Sequence, residues 1–332
     1  MPELPDVVVY AEHLERLLKG RTLRKVRLAS PFVLRSIAPP LKDIEGRALR
    51  GVSRLGKRLV FLFEGNDEDS EPGNPFRGLF LVLHLMIAGR LKWRAGDSPL
   101  PIPKKIGLLS LDFEHGSMLL TEASPKKRAW IRLVEGSAAL AALDPGGLEP
   151  LEATFEAFAA RLRSENHTLK RALTDPTLFS GIGNAYSDEI LHAAKLSPVA
   201  LTSRLSEAQT ARLFEAAQKT LLDWTERLRR ETGEKFPERV TAFRKDMAVH
   251  GRFGKPCPAC GTPVQRIAYA GSETNYCPAC QTGGKLLADR SLSRLLRGDW
   301  PKSLEEMEER KDAARGEGPQ PAGVRGRRPS GA

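Results

Sequence analysis

Cysteine is scarce: the 332-residue chain has four, all within Cys257-Pro-Ala-Cys260 and Cys277-Pro-Ala-Cys280. That confinement excludes a disulfide framework spread along the chain. Long apolar runs are also missing. The longest, such as Leu79 to Leu83, fall far short of the ~20 residues a membrane-spanning helix needs. No signal-peptide pattern accompanies the charged segment that follows Met1-Pro2, so the expectation is a cytoplasmic chain that does not engage a membrane.

Two CxxC knuckles sixteen residues apart can place four thiolates at the corners of a tetrahedron. A structural Zn²⁺ ion takes that set at ~2.3 Å per Zn–S bond. The window holding Cys257, Cys260, Cys277 and Cys280 is too short to bury an adequate core. It is expected to fold as a small metal-stapled hairpin. Two disulfides are the alternative. Such ribbons bind nucleic acid, bind protein or only hold a fold, so charge must discriminate. The formal net charge is +11. Residues 313–332 contain four arginines against one glutamate, a net +3, which leaves +8 in residues 1–312. A basic excess of that size favours nucleic acid or an anionic membrane; with the zinc window it points to nucleic acid.

Periodicity divides the chain. A helix is expected over residues 5–19: Pro5 suits its first turn, Asp6 its positive end and Gly20 its stop. Strands follow at about 22–29, 47–53, 57–64, 79–85, 89–93, 107–113 and 117–122. The last two form a possible hairpin at Glu114-His115-Gly116-Ser117. An acidic loop, residues 66–75, interrupts them. After a Gly/Pro linker near 136–150 the pattern is helical, at about 153–164, 168–174, 184–194 and 204–230. Ser206 and Gln209 have the spacing of a capping box. The ribbon begins near 247, a basic helix is expected over 285–297, and Glu305 to Lys311 suggests a solvated helix. Beyond about 312 the composition predicts a disordered basic tail. The fold class is therefore α+β and multidomain. Its parts are a helix plus β-sandwich-like domain at 1–135, a helical domain at 150–246, a zinc-ribbon hairpin at 247–284 and an extension at 285–332.

Four motifs then occur in a telling order. They are Met1-Pro2-Glu3-Leu4-Pro5-Asp6; Gly56-Lys57-Arg58-Leu59-Val60; Gly181-Ile182-Gly183-Asn184-Ala185-Tyr186-Ser187-Asp188-Glu189-Ile190-Leu191; and Val249-His250-Gly251-Arg252-Phe253-Gly254 running into Cys257. Together they resemble the formamidopyrimidine-DNA glycosylase/endonuclease VIII family of base-excision repair enzymes, over about residues 1–285. The resemblance implies a bifunctional DNA glycosylase/AP lyase that excises oxidised or otherwise damaged bases. Its partner would be damaged double-stranded DNA, bound by a monomer in the bacterial cytoplasm at the nucleoid. Removal of Met1 would expose the Pro2 secondary amine, and free α-amines have pKa values of ~7.7–8. Such an amine can attack the sugar C1′ and form an iminium. The resemblance gives mature Pro2 this role, Glu3 that of general acid, and Lys57 that of a phosphate contact assisting proton transfer. It makes 181–191 a helix–two-turn–helix grip on the damaged strand, with Asn184 and Lys170 as DNA contacts. The glycines there allow close backbone approach, and the helix N-terminus accepts an anion. His84 and His115 are expected to be structural.

The chain departs from the family pattern in three places. The usual His-Leu-Gly-Met-Ser-Gly-Arg-Leu is His84-Leu85-Met86-Ile87-Ala88-Gly89-Arg90-Leu91, so Ile87 takes the register of the methionine that fills the space of an everted nucleotide. The usual Asp-Pro-Arg-Arg-Phe-Gly is Ser124-Pro125-Lys126-Lys127-Arg128-Ala129. Arg128, or Trp130 with a gap, would replace the phenylalanine wedge, and Lys126 or Lys127 would face the estranged base. The ribbon arginine that bridges phosphates is Ser272; Arg252, Arg244, Gln265 or Arg266 would have to compensate. These changes motivate a second reading, a non-catalytic or lesion-specialised protein binding abasic sites or crosslinks. An RNA-binding zinc-ribbon protein is a third.

Overall fold

A computed structural model describes residues 1–65, 78–238, 244–269, 272–288 and 301–316. Helix α1 (Leu4–Leu18) turns its apolar stripe inward. Among the described residues eight strands follow in two four-stranded antiparallel sheets. They are β1 (Leu23–Leu28), β2 (Leu49–Leu55), β3 (Arg58–Phe63), β4 (Leu79–His84), β5 (Gly89–Ala95), β6 (Gly107–Phe113), β7 (Gly116–Glu122) and β8 (Trp130–Glu135). One sheet has the order β1-β6-β7-β5, the other β2-β3-β4-β8. The core between them and α1 includes Leu14, Phe61, Leu81, Leu111 and Leu133. β6 and β7 form the expected hairpin, with Phe113 opposite Gly116, so the turn narrows to Glu114-His115. A Cβ on Gly116 would come within 2.3 Å of the Trp93 ring, which is why glycine stands there.

Two elements were not expected. Residues 130–135 form β8, whose Ile131 and Leu133 point to the core while Trp130 and Arg132 face away. Helix α2 (Gly136–Ala141) lies where a linker was expected. It and the turn after it cover the outer face of the second sheet through Leu140 and Leu143, against Val60, Phe80 and Val82.

The helical part comprises α3 (Phe155–Arg163), α4 (Leu169–Thr174), α5 (Asn184–Ala193) and α6 (Glu207–Thr232). The capping box starts α6: Ser206 Oγ accepts from Gln209 N–H at 3.2 Å, and Gln209 Oε1 accepts from Ser206 N–H at 2.9 Å. Leu4 of α1 belongs to this second core with Phe158, Phe179, Tyr186 and Leu221, so α1 is shared between the two parts. The ribbon contributes β9 (Gln265–Tyr269), β10 (Ser272–Tyr276) and α7 (Pro278–Thr282). Helix α8 (Leu304–Gly316) contains the expected solvated segment and runs past the expected boundary at 312. The acidic loop at 66–75, most of the expected helix at 285–297 and the tail from 317 lie outside the described residues. No described helix is long and apolar enough to cross a membrane.

Candidate active site

Glu3 organises the junction between the two cores. It is the N-cap of α1, and with Asp6 it completes an acidic capping box: the Glu3 carboxylate accepts from Asp6 N–H, while Asp6 Oδ2 accepts from Glu3 N–H at 2.8 Å. The same carboxylate accepts from Gly183 N–H at 2.7 Å, Ala185 N–H at 2.9 Å and Tyr186 N–H at 3.2 Å. Gly183 caps α5 without a side chain of its own, so Glu3, far away in sequence, satisfies the orphan amides of that helix. A Cβ on Gly183 would sit 2.5 Å from Glu3 Cδ; glycine is required for this approach. Glu3 is 2% exposed, and Pro2 beside it is buried. Asp6 is wholly buried, and its Oδ1 has no hydrogen-bond partner among the described residues. Burial, with the nearby Glu3 charge adding to it, pushes its carboxyl up to about 7 against the opposing backbone hydrogen bond.

Lys57 lies in the tight turn between β2 and β3, made possible by Gly56 at φ +60°. Its ammonium donates to Ile182 O at 2.8 Å. Burial lowers its pKa, and the Glu3 charge opposes that shift. A cleft of about 480 Å³ brings Met1, Lys57, Lys170, Gly183, Asn184 and Thr274 together. Burial also lowers the pKa of the Met1 amine.

Helix α5 carries this site to the ribbon. Lys170 donates to Asn184 O at 2.6 Å and pairs with Asp188 at 2.5 Å. Asp188 is fully buried; its second oxygen lies 2.8 Å from His250 Nδ1 and accepts from Asn275 N–H at 3.2 Å. The neighbouring Glu189 accepts from the N–H groups of Ala248, Val249 and His250 at 2.7–2.9 Å. Asn184 Nδ2 donates to Glu273 O at 2.8 Å. Sequence reasoning missed Asp6, Asp188, Glu189, His250 and Asn275 as site-building residues.

Residues 1–129 match the family model for the formamidopyrimidine-DNA glycosylase N-terminal domain, residues 147–232 that for its H2TH domain, and residues 254–283 that for the zinc finger found in FPG and IleRS. A formamidopyrimidine-DNA glycosylase of Thermus thermophilus is 33% identical over 294 residues, which span 86% of this chain and all of that protein. The chain belongs to the formamidopyrimidine-DNA glycosylase family. An uncharacterized formamidopyrimidine-DNA glycosylase-like protein of Mycobacterium tuberculosis is 43% identical over 151 residues, 46% of this chain and 94% of that protein. The structure of the Lactococcus lactis Fpg with abasic-site DNA aligns with a TM-score of 0.71 at 26% identity, over 84% of this chain and 99% of that one. MutM with DNA containing carbocyclic 8-oxo-G aligns at 0.70 and 26%, over 85% and 100%. Relatives matched from end to end carry glycosylase names, which does not favour the reading as a non-catalytic binder.

The departures from the formamidopyrimidine-DNA glycosylase pattern lie outside the cleft. Met86, at the motif's glycine position, has φ +49°, a left-handed conformation that costs a side-chain-bearing residue ~1–2 kcal/mol. Its N–H donates to His84 Nδ1 at 2.9 Å. Burial, then the Arg58 and Lys57 charges, lower His84 to about 4, which keeps that nitrogen an acceptor. Ile87, next along, is 53% exposed at the tip of the β4–β5 turn. His115 packs against Trp93 at 5.2 Å. Lys126, Lys127 and Arg128 are exposed on the β7–β8 loop. Lys127 Nζ donates to Glu122 O, and Arg128 lines a different pocket, beside Trp130. Arg252 donates to Lys245 O at 3.2 Å and Pro256 O at 3.0 Å, bracing the turn before the first knuckle. Ser272 opens β10.

The four cysteines are free and their sulfurs all lie within 4.8 Å of one another. Cys260 Sγ is 3.4 Å from Cys277 Sγ and 3.5 Å from Cys280 Sγ. A tetrahedral ion at ~2.3 Å per bond separates its ligands by roughly 3.8 Å, so small adjustments within the cluster accommodate one structural Zn²⁺. Zinc would be held by Cys257, Cys260, Cys277 and Cys280 and would tie the two knuckles together. His192 Nε2 of α5 lies 3.2 Å from Cys257 Sγ, an outer contact of the kind that orients metal ligands.

Proposed function

We propose that the chain is a bifunctional DNA glycosylase/AP lyase that removes oxidised bases from duplex DNA and nicks the strand through Pro2. The observation that carries this reading is the amide-clamped Glu3 carboxylate next to Pro2, behind a cleft lined by Met1, Lys57 and Gly183. Once Met1 is removed, the Pro2 nitrogen is a secondary amine in a buried position. Burial disfavours its protonated form, as it does for the Met1 amine. The unprotonated nitrogen attacks C1′; the N–C1′ bond forms as the bond to the base breaks, and the base leaves with that electron pair and takes a proton from water. The Glu3 carboxylate takes the proton that the Pro2 nitrogen sheds on bonding to C1′ and delivers it to the ring oxygen as the C1′–O bond opens, which leaves an iminium between Pro2 and C1′. The iminium acidifies C2′; loss of that proton expels the 3′ phosphate. Lys57 takes part in proton transfer and holds a phosphate of the damaged strand. Lys170 and Asn184 border the same cleft and serve as further phosphate contacts. Ile87 and Arg128 enter the duplex where the damaged nucleotide leaves it, with Lys126 and Lys127 near the estranged base and Arg252 near the ribbon's phosphate contacts. The chain acts as a monomer.

A panel of duplexes with single oxidised purines, oxidised pyrimidines or an abasic site tests this. Nicking of at least one oxidised-base duplex and of the abasic duplex is expected. Glu3→Gln should slow both by ~100-fold or more. Nicking of neither, or full activity in Glu3→Gln, would refute the proposal.

A further inference from the structure

The second sheet bears a pocket that this chemistry does not use. Arg58, His84 and Trp130 stand side by side on β3, β4 and β8, Arg58 opposite His84 and His84 opposite Trp130. The rings of His84 and Trp130 stack at 5.6 Å and 21°. The Arg58 guanidinium lies 5.7 Å from the centre of the Trp130 ring. Arg132, two residues along β8, projects from the same face. Residues 34–36 run along the free edge of β8. There Arg35 N–H donates to Ile131 O at 2.8 Å, and Ser36 Oγ accepts from Leu133 N–H at 3.0 Å. Helix α2 covers the remainder of this face. What stays open is a cavity of about 530 Å³ walled by Arg35, Arg58, Arg128, Trp130 and Arg132, with Met86 at its side.

The lining is unbalanced in charge. None of these four arginines forms an ion pair among the described residues. Arg132 Nε is buried, with no hydrogen-bond partner among the described residues. Holding four guanidinium groups around one cavity costs repulsion, which a bound anion relieves. An indole bordering the same cavity adds a surface for a flat ring. Guanidinium plus indole in a cavity of this size suits a nucleotide: phosphate on the arginines, base on the ring.

Position selects which nucleotide. Lys57 and Arg58 are consecutive, yet Lys57 lines the cleft beside Glu3 and Arg58 lines this pocket. Met86 belongs to the turn that carries Ile87, and Arg128 to the β7–β8 loop; on the proposed function both stand where the duplex opens. We propose that the pocket is a second nucleotide site, which takes an unpaired nucleotide from the strand opposite the damage. The choice of strand rests on the proposed function; the site itself does not.

The test is binding of the full chain, at one salt concentration, to two duplexes. Both contain a tetrahydrofuran abasic-site analogue. One has a normal nucleotide opposite it, and the other has a second analogue there, so no base is available on either strand. The wild-type chain should bind the first ~10-fold more tightly, the scale of one lost base stack. Trp130→Leu should erase that preference while leaving affinity for the second duplex near wild type. Arg35→Ala removes an exposed side chain and keeps the test open if Trp130→Leu fails to fold; it should reduce the preference and lower the salt dependence by about one phosphate. Equal wild-type binding to both duplexes overturns the proposal, as does equal weakening of both by Trp130→Leu. Binding is the readout, so a chain that fails to nick DNA can still pass, and failure here leaves the lyase reading standing.

Discussion

At the residue scale, Glu3 does two jobs with one carboxylate. It caps α1 and satisfies the start of α5, so the proposed general acid is fixed by backbone amides rather than by flexible side chains. Gly183→Ala places a methyl group within 2.6 Å of Glu3 Oε1 and must displace either the carboxylate or the turn. Single-turnover nicking should fall by ~100-fold, since small misplacement of catalytic groups is costly. Unchanged nicking would separate Glu3's position from its function. Asp6 supplies a pH signature. Its pKa rises from 3.8 to about 7 through burial, so between those values the folded chain holds a proton that the unfolded chain releases. Stability should therefore fall as pH rises from about 4 to 7, by up to ~4 kcal/mol from this group. Denaturant midpoints across that range should show the fall in the wild type and a flatter profile in Asp6→Asn.

At the scale of elements, α5 is the connector: its first turn meets Glu3, its middle holds Lys170 and the ribbon through Asp188, and His192 near its end touches Cys257. Asp188→Ala removes the carboxylate that pairs with Lys170 and faces His250 Nδ1, and with it the acceptor for Asn275 N–H. Loss of one member of a buried pair costs ~3–5 kcal/mol, so thermal unfolding should shift down and chelators should strip zinc faster; unchanged zinc release would contradict the coupling. The elements themselves were largely legible. Apolar alternation marked seven of the eight sandwich strands, and Ser206 and Gln209 marked the start of α6. β8 was obscured because Trp130-Ile131-Arg132-Leu133 begins two positions after Lys126-Lys127-Arg128, three basic residues that read as loop. The buried acids of α5 were invisible for another reason. Asp188 and Glu189 look like solvated helix positions until partners from 248–275 are folded onto them. The motif residues were legible as sequence patterns, but that Lys170 is paired with Asp188 and that Asn184 engages the ribbon became visible only in the fold.

At the scale of the whole molecule, α1 joins two cores and α5 joins the helical part to the ribbon, so the cysteine cluster is mechanically linked to the Glu3 site. Zinc removal at neutral pH should weaken binding to abasic-analogue duplex by at least ~10-fold, because metal-held knuckles lose their fold without the ion. The sandwich should keep its cooperative unfolding transition, since its core lies elsewhere. Titration with a chelator, read by DNA binding and by circular dichroism, checks both. The central claim is that Pro2 becomes covalently joined to DNA during turnover. Borohydride reduction during reaction with abasic-site duplex, followed by protease digestion and mass measurement of the amino-terminal peptide, tests it directly. The account predicts a sugar adduct on Pro2 in protein lacking Met1, and none in Pro2→Gly at that position. An adduct on a lysine instead, or strand nicking with no trapped adduct, would contradict it.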